Sequence, residues 1–139
     1  MHLPHLLLAD DHVDTGNLLR RLLESEFDVV AGVTDGLALV AAAERERPDV
    51  IVADISMPGI DGITAASTIL RRNPKARIVF VTIHAEPMMV ENALSIGALG
   101  YVLKLEAGDE LLPAVHSALA GRRYISQGLR GRCQTAGVA

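Results

Sequence analysis

The apolar positions of this chain fall in short unbroken runs, separated by longer stretches in which they recur every three or four residues. His5-Leu6-Leu7-Leu8-Ala9 is the first run, closed by Asp10-Asp11, and it predicts a strand. Leu18, Leu19, Leu22 and Leu23 then recur at helical spacing, with Arg20, Arg21 and Glu24 between them. Phe27 to Val33 predicts a second strand closed by Asp35-Gly36, and Leu37 to Arg47 a helix ended by Pro48, with Leu39, Val40 and Ala43 apolar. Asp49 to Ala53 is a third strand that ends in Asp54. Met57-Pro58-Gly59 stops it, because proline cannot donate to a ladder and glycine suits a tight turn. Gly62 to Arg72 is a third helix, with Ile63, Ala66, Ile69 and Leu70 inward and Asn73-Pro74 as its stop. Arg77 to Thr82 is a fourth strand, and a fourth helix starts near Glu86-Pro87 and ends at Gly97. Gly100 to Leu103 is a short fifth strand followed by Lys104. A fifth helix carries Leu111, Leu112, Val115 and Leu119 and ends at Gly121, with Pro113 leaving its start open by several residues. Strands alternating with helices predict an α/β domain, a parallel sheet with helices on both faces.

Composition narrows this picture. The 139 residues are one domain's worth, half of them hydrophobic but only 3% aromatic, so the core must be aliphatic and Ala-rich. A net charge of −4 gives no electrostatic reason for the whole domain to bind nucleic acid. The single cysteine, Cys133, excludes an internal disulfide, and no stretch reads as a signal peptide or a spanning helix, so a cytoplasmic location with no membrane partner is expected. After Gly121 the texture changes: Arg122, Arg123, Arg130 and Arg132 stand in a stretch with no acidic residue and few apolar anchors. The expected division is a domain over 1–121 and a solvated tail, or the start of a linker, over 122–139. A nucleic-acid contact by the tail is the alternative.

In a parallel sheet every strand points the same way, so Asp10, Asp11, Asp54, Thr82 and Lys104 converge on one edge. Two like charges 4 Å apart cost about 4 kcal/mol at an effective dielectric near 20, so such carboxylates need a divalent cation and an ammonium to offset them. Oxygen ligands with no histidine or cysteine nearby point to Mg²⁺ or Mn²⁺ rather than zinc. Magnesium usually completes its octahedron with waters and a phosphate oxygen, which suits phosphoryl chemistry. Asp54 is then the candidate nucleophile, Asp10 and Asp11 a metal pair, and Thr82 and Lys104 the groups that hold phosphoryl oxygens.

Asp10-Asp11, Asp54 with Met57-Pro58-Gly59 and Asp61-Gly62, Thr82, and Gly100-Tyr101-Val102-Leu103-Lys104 together resemble the receiver domain of two-component response regulators. The resemblance runs from about Leu6 to Leu119. Ala93 to Tyr101 and Gly121-Arg122-Arg123-Tyr124-Ile125-Ser126 resemble the LuxR/FixJ-type branch, whose members usually carry a helix-turn-helix DNA-binding domain after the receiver. The resemblance implies a three-layer flavodoxin-like (βα)5 fold with strand order 2-1-3-4-5. It implies that Asp54 accepts a phosphoryl group from a sensor histidine kinase. Mg²⁺ would be held by Asp11, Asp54 and the Ser56 backbone carbonyl, with Asp10 directly or through water. Tyr101 would turn inward with Thr82 and alter the face made by the fourth helix, fifth strand and fifth helix. A homodimer through that face, or through the first and fifth helices, is the implied assembly. DNA would be met only through a further C-terminal domain, not specifically by these residues. The departures are Leu105, where Lys-Pro with a cis peptide is common, and the bulky Ile83 after Thr82; these expect a looser entrance to the fifth helix and slower transfer.

Two other classes of protein share parts of this pattern. A dehalogenase-like phosphatase also uses a strand-end Asp with Mg²⁺, but it needs a second Asp where this chain has Ser56. A flavodoxin-like cofactor binder has no need of Lys104 or the acidic pair. A stand-alone receiver that shuttles phosphate or binds a partner is the alternative within the leading class. His12 and His84 are expected to be surface groups or groups that support the site, rather than ligands or phosphohistidines, and Met88 and Met89 helix packing.

Overall fold

The structure is a computed structural model and describes residues 3–134. The predicted alternation is present in order: β1 His5–Ala9, α1 Val13–Glu24, β2 Asp28–Val33, α2 Gly36–Glu46, β3 Val50–Ala53, α3 Gly62–Arg72, β4 Ile78–Thr82, α4 Pro87–Ser95, β5 Gly100–Leu103 and α5 Ala107–Leu119. Two further elements follow, β6 Tyr124–Ile125 and α6 Gln127–Gln134. All pairings are parallel, and the strand order is β2-β1-β3-β4-β5-β6.

The expectation of a solvated tail after Gly121 is therefore corrected through residue 134. Tyr124 pairs with Gly100 and Ile125 with Tyr101, while Leu129 of α6 is buried. The apolar residues Tyr124, Ile125 and Leu129 are few, but each falls where it meets β5 or the apolar layer beneath α4. The side chains of Arg132 and Cys133 and residues 135–139 lie outside what is described.

Strand alternation splits the core into two layers. Leu7, Ala9, Ile51, Ala53, Ile78, Phe80 and Tyr101 face α2, α3, α4 and α6. Leu6, Leu8, Val50, Val52, Val79, Val81 and Val102 face α1 and α5. A strand buried on both faces has no polar position to spare, which is why these runs are unbroken. Small residues let the helices close on the sheet: Ala42 and Ala43 on α2, Ala65 and Ala66 on α3, Ala114 and Ala118 on α5. The leucines of α1 divide, with Leu19 and Leu23 buried and Leu18 exposed, because four apolar positions span a wider arc than the sheet covers. Pro113 lies inside α5, beyond the first turn, and the helix runs on through it.

Two helices that flank the site start on the same device. Asp35 accepts the Ala38 N–H at the start of α2, and Asp61 accepts the Thr64 N–H at the start of α3, both as side-chain N-caps. Gly62 follows Asp61 because the chain passes against β3 there: a Cβ at this position would stand 2.0 Å from the Asp54 carbonyl oxygen. The loop from Ile55 to Asp61 is thus clamped to the end of β3, and the Gly62 N–H donates to Ile55 O.

Candidate functional site

Asp10 and Asp11 follow β1, Asp54 follows β3, Thr82 ends β4 and Lys104 follows β5, so all five sit on the carboxyl edge of the sheet. Asp10, Asp54 and Thr82 are buried. The Lys104 ammonium joins the carboxylates: Nζ lies 2.8 Å from Asp54 Oδ2 and 3.0 Å from Asp10 Oδ2. Asp54 Oδ1 accepts the N–H of Ile55 at 2.7 Å, and Asp10 Oδ1 accepts that of His12 at 2.8 Å. One cation thus serves two buried carboxylates whose other oxygens are held by main-chain donors. Burial works against the Lys104 charge, but hydrogen bonds and the charges of Asp54 and Asp10 outweigh it, so its pKa stands above the ordinary lysine value.

Asp11 has no such partner. Its Oδ1 is shut off from solvent and receives no hydrogen bond, and its neighbour is a ring nitrogen of His12 at 3.1 Å. Ligand atoms of Asp10, Asp11, His12 and Asp54 all lie within 4.8 Å of one another. Ligands each about 2.1 Å from a magnesium ion stand no more than about twice that apart, so the carboxylate set fits a hard divalent cation after a small closure. The buried, unmatched Asp11 oxygen is the observation that favours such an ion.

Thr82 and Tyr101 link the site to the next elements. The Thr82 hydroxyl accepts the His84 N–H at 3.3 Å, and the Tyr101 hydroxyl donates to His84 O at 2.9 Å. Tyr101 is fully buried and turned inward. Leu105 is fully exposed in a 3-10 turn over Lys104–Glu106, which connects β5 to α5 without proline. Ile83 is exposed on the rim, with no role in the core.

His84 takes a supporting place at the edge of the site, as expected of it. It is half-buried, and its Nε2 meets the Ser56 hydroxyl at 2.6 Å, with Glu86 Oε2 3.5 Å from Nδ1. The signal was available: Ser56 and His84 each stand two residues beyond a site residue on adjacent parallel strands, which puts them side by side on the rim. His12 is exposed as expected, yet it also stands among the acidic groups. Ser126 and Glu110 were not singled out by sequence; both are buried, and they hold the start of α6 to β5 and to α5 respectively.

A parallel sheet in this strand order, with paired acids, a strand-end Asp and a bridging Lys at its carboxyl edge, defines a receiver-type α/β domain. The chain belongs to the response regulator receiver domain family, which matches residues 6–116. It is 36% identical over 122 residues to the transcriptional regulatory protein DegU of Brevibacillus brevis, covering 86% of this chain and 52% of that protein. It is 36% identical over 124 residues to the response regulator GacA of Pseudomonas aeruginosa, covering 87% and 58%. The chain thus spans little more than half the length of these curated relatives. Among solved structures, a LuxR-family two-component response regulator from Aurantimonas sp. SI85-9A1 superposes with a TM-score of 0.93 at 32% identity, covering 99% of both chains. The receiver domain of the putative response regulator NarL from Mycobacterium tuberculosis gives 0.82 at 30% identity, over 88% of this chain and 100% of that one. Strand order and (βα)5 core agree with the flavodoxin-like expectation, extended here by β6 and α6. Among the described residues, no helix is long and apolar enough to cross a membrane.

Proposed function

We propose that this chain is a phospho-accepting signalling module, with Asp54 taking a phosphoryl group from a phosphohistidine on a sensor histidine kinase. The observation that carries the reading is the Lys104 ammonium shared by Asp54 and Asp10 at 2.8 and 3.0 Å. In the transfer an Asp54 oxygen forms a bond to phosphorus, the P–N bond breaks, and the electron pair leaves with the imidazole. Asp54 is held in place by the Ile55 N–H and cannot turn freely. Lys104 offsets the charge that accumulates on the phosphoryl oxygens, and Thr82 supplies a hydroxyl to one of them. Asp10, Asp11, Asp54 and the Ser56 backbone carbonyl would hold Mg²⁺ or Mn²⁺, and the ion would supply neutralisation of phosphoryl charge. Gly62 and the Asp61 cap keep the wall of the pocket close to Asp54.

The module would act in the cytoplasm, catalyse only its own phosphorylation and dephosphorylation, and serve transcription through a DNA-binding domain outside these residues. The relative DegU is a transcriptional regulatory protein, which supports that output. A homodimer would use the α1–α5 or the α4–β5–α5 face, and Tyr101 with Thr82 would form the switch. The test is incubation with a small phosphodonor and Mg²⁺, followed by intact mass. Wild type is expected to gain one phosphoryl group and Asp54→Ala none; equal labelling of the two would overturn the reading.

A further inference from the structure

The stretch after Gly121 is bound to the sheet at the residues that carry the site. Tyr124 N–H donates to Leu99 O and Ser126 N–H to Tyr101 O, both at 2.8 Å. The buried Ser126 hydroxyl takes the N–H of Leu103 at 2.9 Å, next to Lys104 in the chain. Glu110 of α5 accepts the Gln127 N–H at 3.2 Å. Ile125 and the fully covered Leu129 lie in the same apolar cluster as Tyr101 and as Val90 and Ala93 of α4. Arg130 closes the segment on itself, with Nε on Ile125 O at 2.8 Å and its guanidinium over the Tyr124 ring.

We propose that segment 122–134 is an internal strap seated on the outer edge of β5 and on α4, and that its seating is coupled to the state of Asp54. Pairing over two residues is a short ladder against the usual five or so, which makes the strap the part of the sheet most readily released. The coupling path is physical. β5 lies between β4 and the strap, with Thr82 opposite Leu103 and Tyr101 opposite Ile125. The Tyr101 hydroxyl holds His84 O, beyond Thr82, while Leu129 and Ile125 help to enclose the Tyr101 ring's cluster. A phosphoryl group on Asp54 adds negative charge and draws Lys104 and Thr82 inward, which fixes residues 101–104. The strap hangs from those residues, so it seats more firmly. By linkage, a seated strap raises the affinity of the site for a phosphoryl ligand by the same factor.

The proposal rests on Asp54 as the phosphoryl acceptor. Its test is amide hydrogen exchange on the whole chain with Mg²⁺, with and without beryllofluoride, together with beryllofluoride affinity of Leu129→Ala and Ser126→Ala. Protection of the Tyr124 and Ser126 amides is expected to rise at least about fivefold, and each variant to bind at least about fivefold more weakly. Ser126→Ala removes only a hydroxyl acceptor, and it decides the matter if Leu129→Ala does not fold. Amides beside Asp54 that shift while strap protection and variant affinities stay within about twofold would overturn the coupling and leave the acceptor reading intact. No beryllofluoride-dependent change anywhere would overturn both.

Discussion

Lys104 is under two opposed demands. Burial disfavours its charge, while Asp54 and Asp10 require it, and the second effect wins. Its folded pKa is raised above the unfolded value of about 10.4, so its contribution to stability is complete below that pH and is lost as pH rises through the folded pKa. Tyr124 is also raised, by burial and then the Glu110 charge, and it adds to the alkaline loss. Urea titrations of wild type and Lys104→Met should therefore diverge most at neutral pH and converge at strongly alkaline pH. At pH 7 the variant leaves two buried carboxylates without a cation and should lose about 3–5 kcal/mol, partly regained with Mg²⁺. Asp11→Asn should do the opposite in metal-free buffer. It removes one of three crowded negative charges, so thermal melts should show a rise in Tm that shrinks when Mg²⁺ is added.

At the scale of elements, two positions have clear consequences. Gly62→Ala would put a methyl 2.0 Å from the Asp54 carbonyl oxygen, against main chain that cannot yield cheaply. It should cost at least about 2 kcal/mol by denaturant unfolding and slow labelling of Asp54, because the loop and the acceptor move together. Pro113 is exposed inside α5 and offers no N–H to the carbonyl four residues earlier. Pro113→Ala should raise stability by about 1–3 kcal/mol without altering phosphorylation. By sequence Pro113 left the start of this helix open by several residues, because proline is best tolerated near a first turn. Packing of Leu111, Ala114, Val115 and Ala118 on the sheet carries the helix through it.

For the whole molecule, the net charge of −4 argues against a nucleic-acid surface. These 139 residues alone are expected to leave no footprint on an operator bound by a full-length relative, as nuclease protection would report. The site itself is a product of topology. Parallel strands deliver their last residues to one edge, so groups as distant in sequence as Asp10 and Lys104 meet there.

The apolar runs alone determined the five strands and helices, their order, and the layered class, because a strand buried on both faces leaves a continuous pattern in the chain. Strand-end position was enough to pick out Asp10, Asp11, Asp54, Thr82 and Lys104, since topology rather than side-chain detail brings them together. What the sequence left undecided depends on contacts between distant segments. The bridge from Lys104 to both carboxylates, the Ser56–His84 pair and the inward Tyr101 are matters of distance. The same holds after Gly121: a short polar stretch rich in arginine has no periodicity of its own. It becomes strand and helix because β5 offers it free main-chain partners, and the apolar layer beneath α4 a place for Leu129.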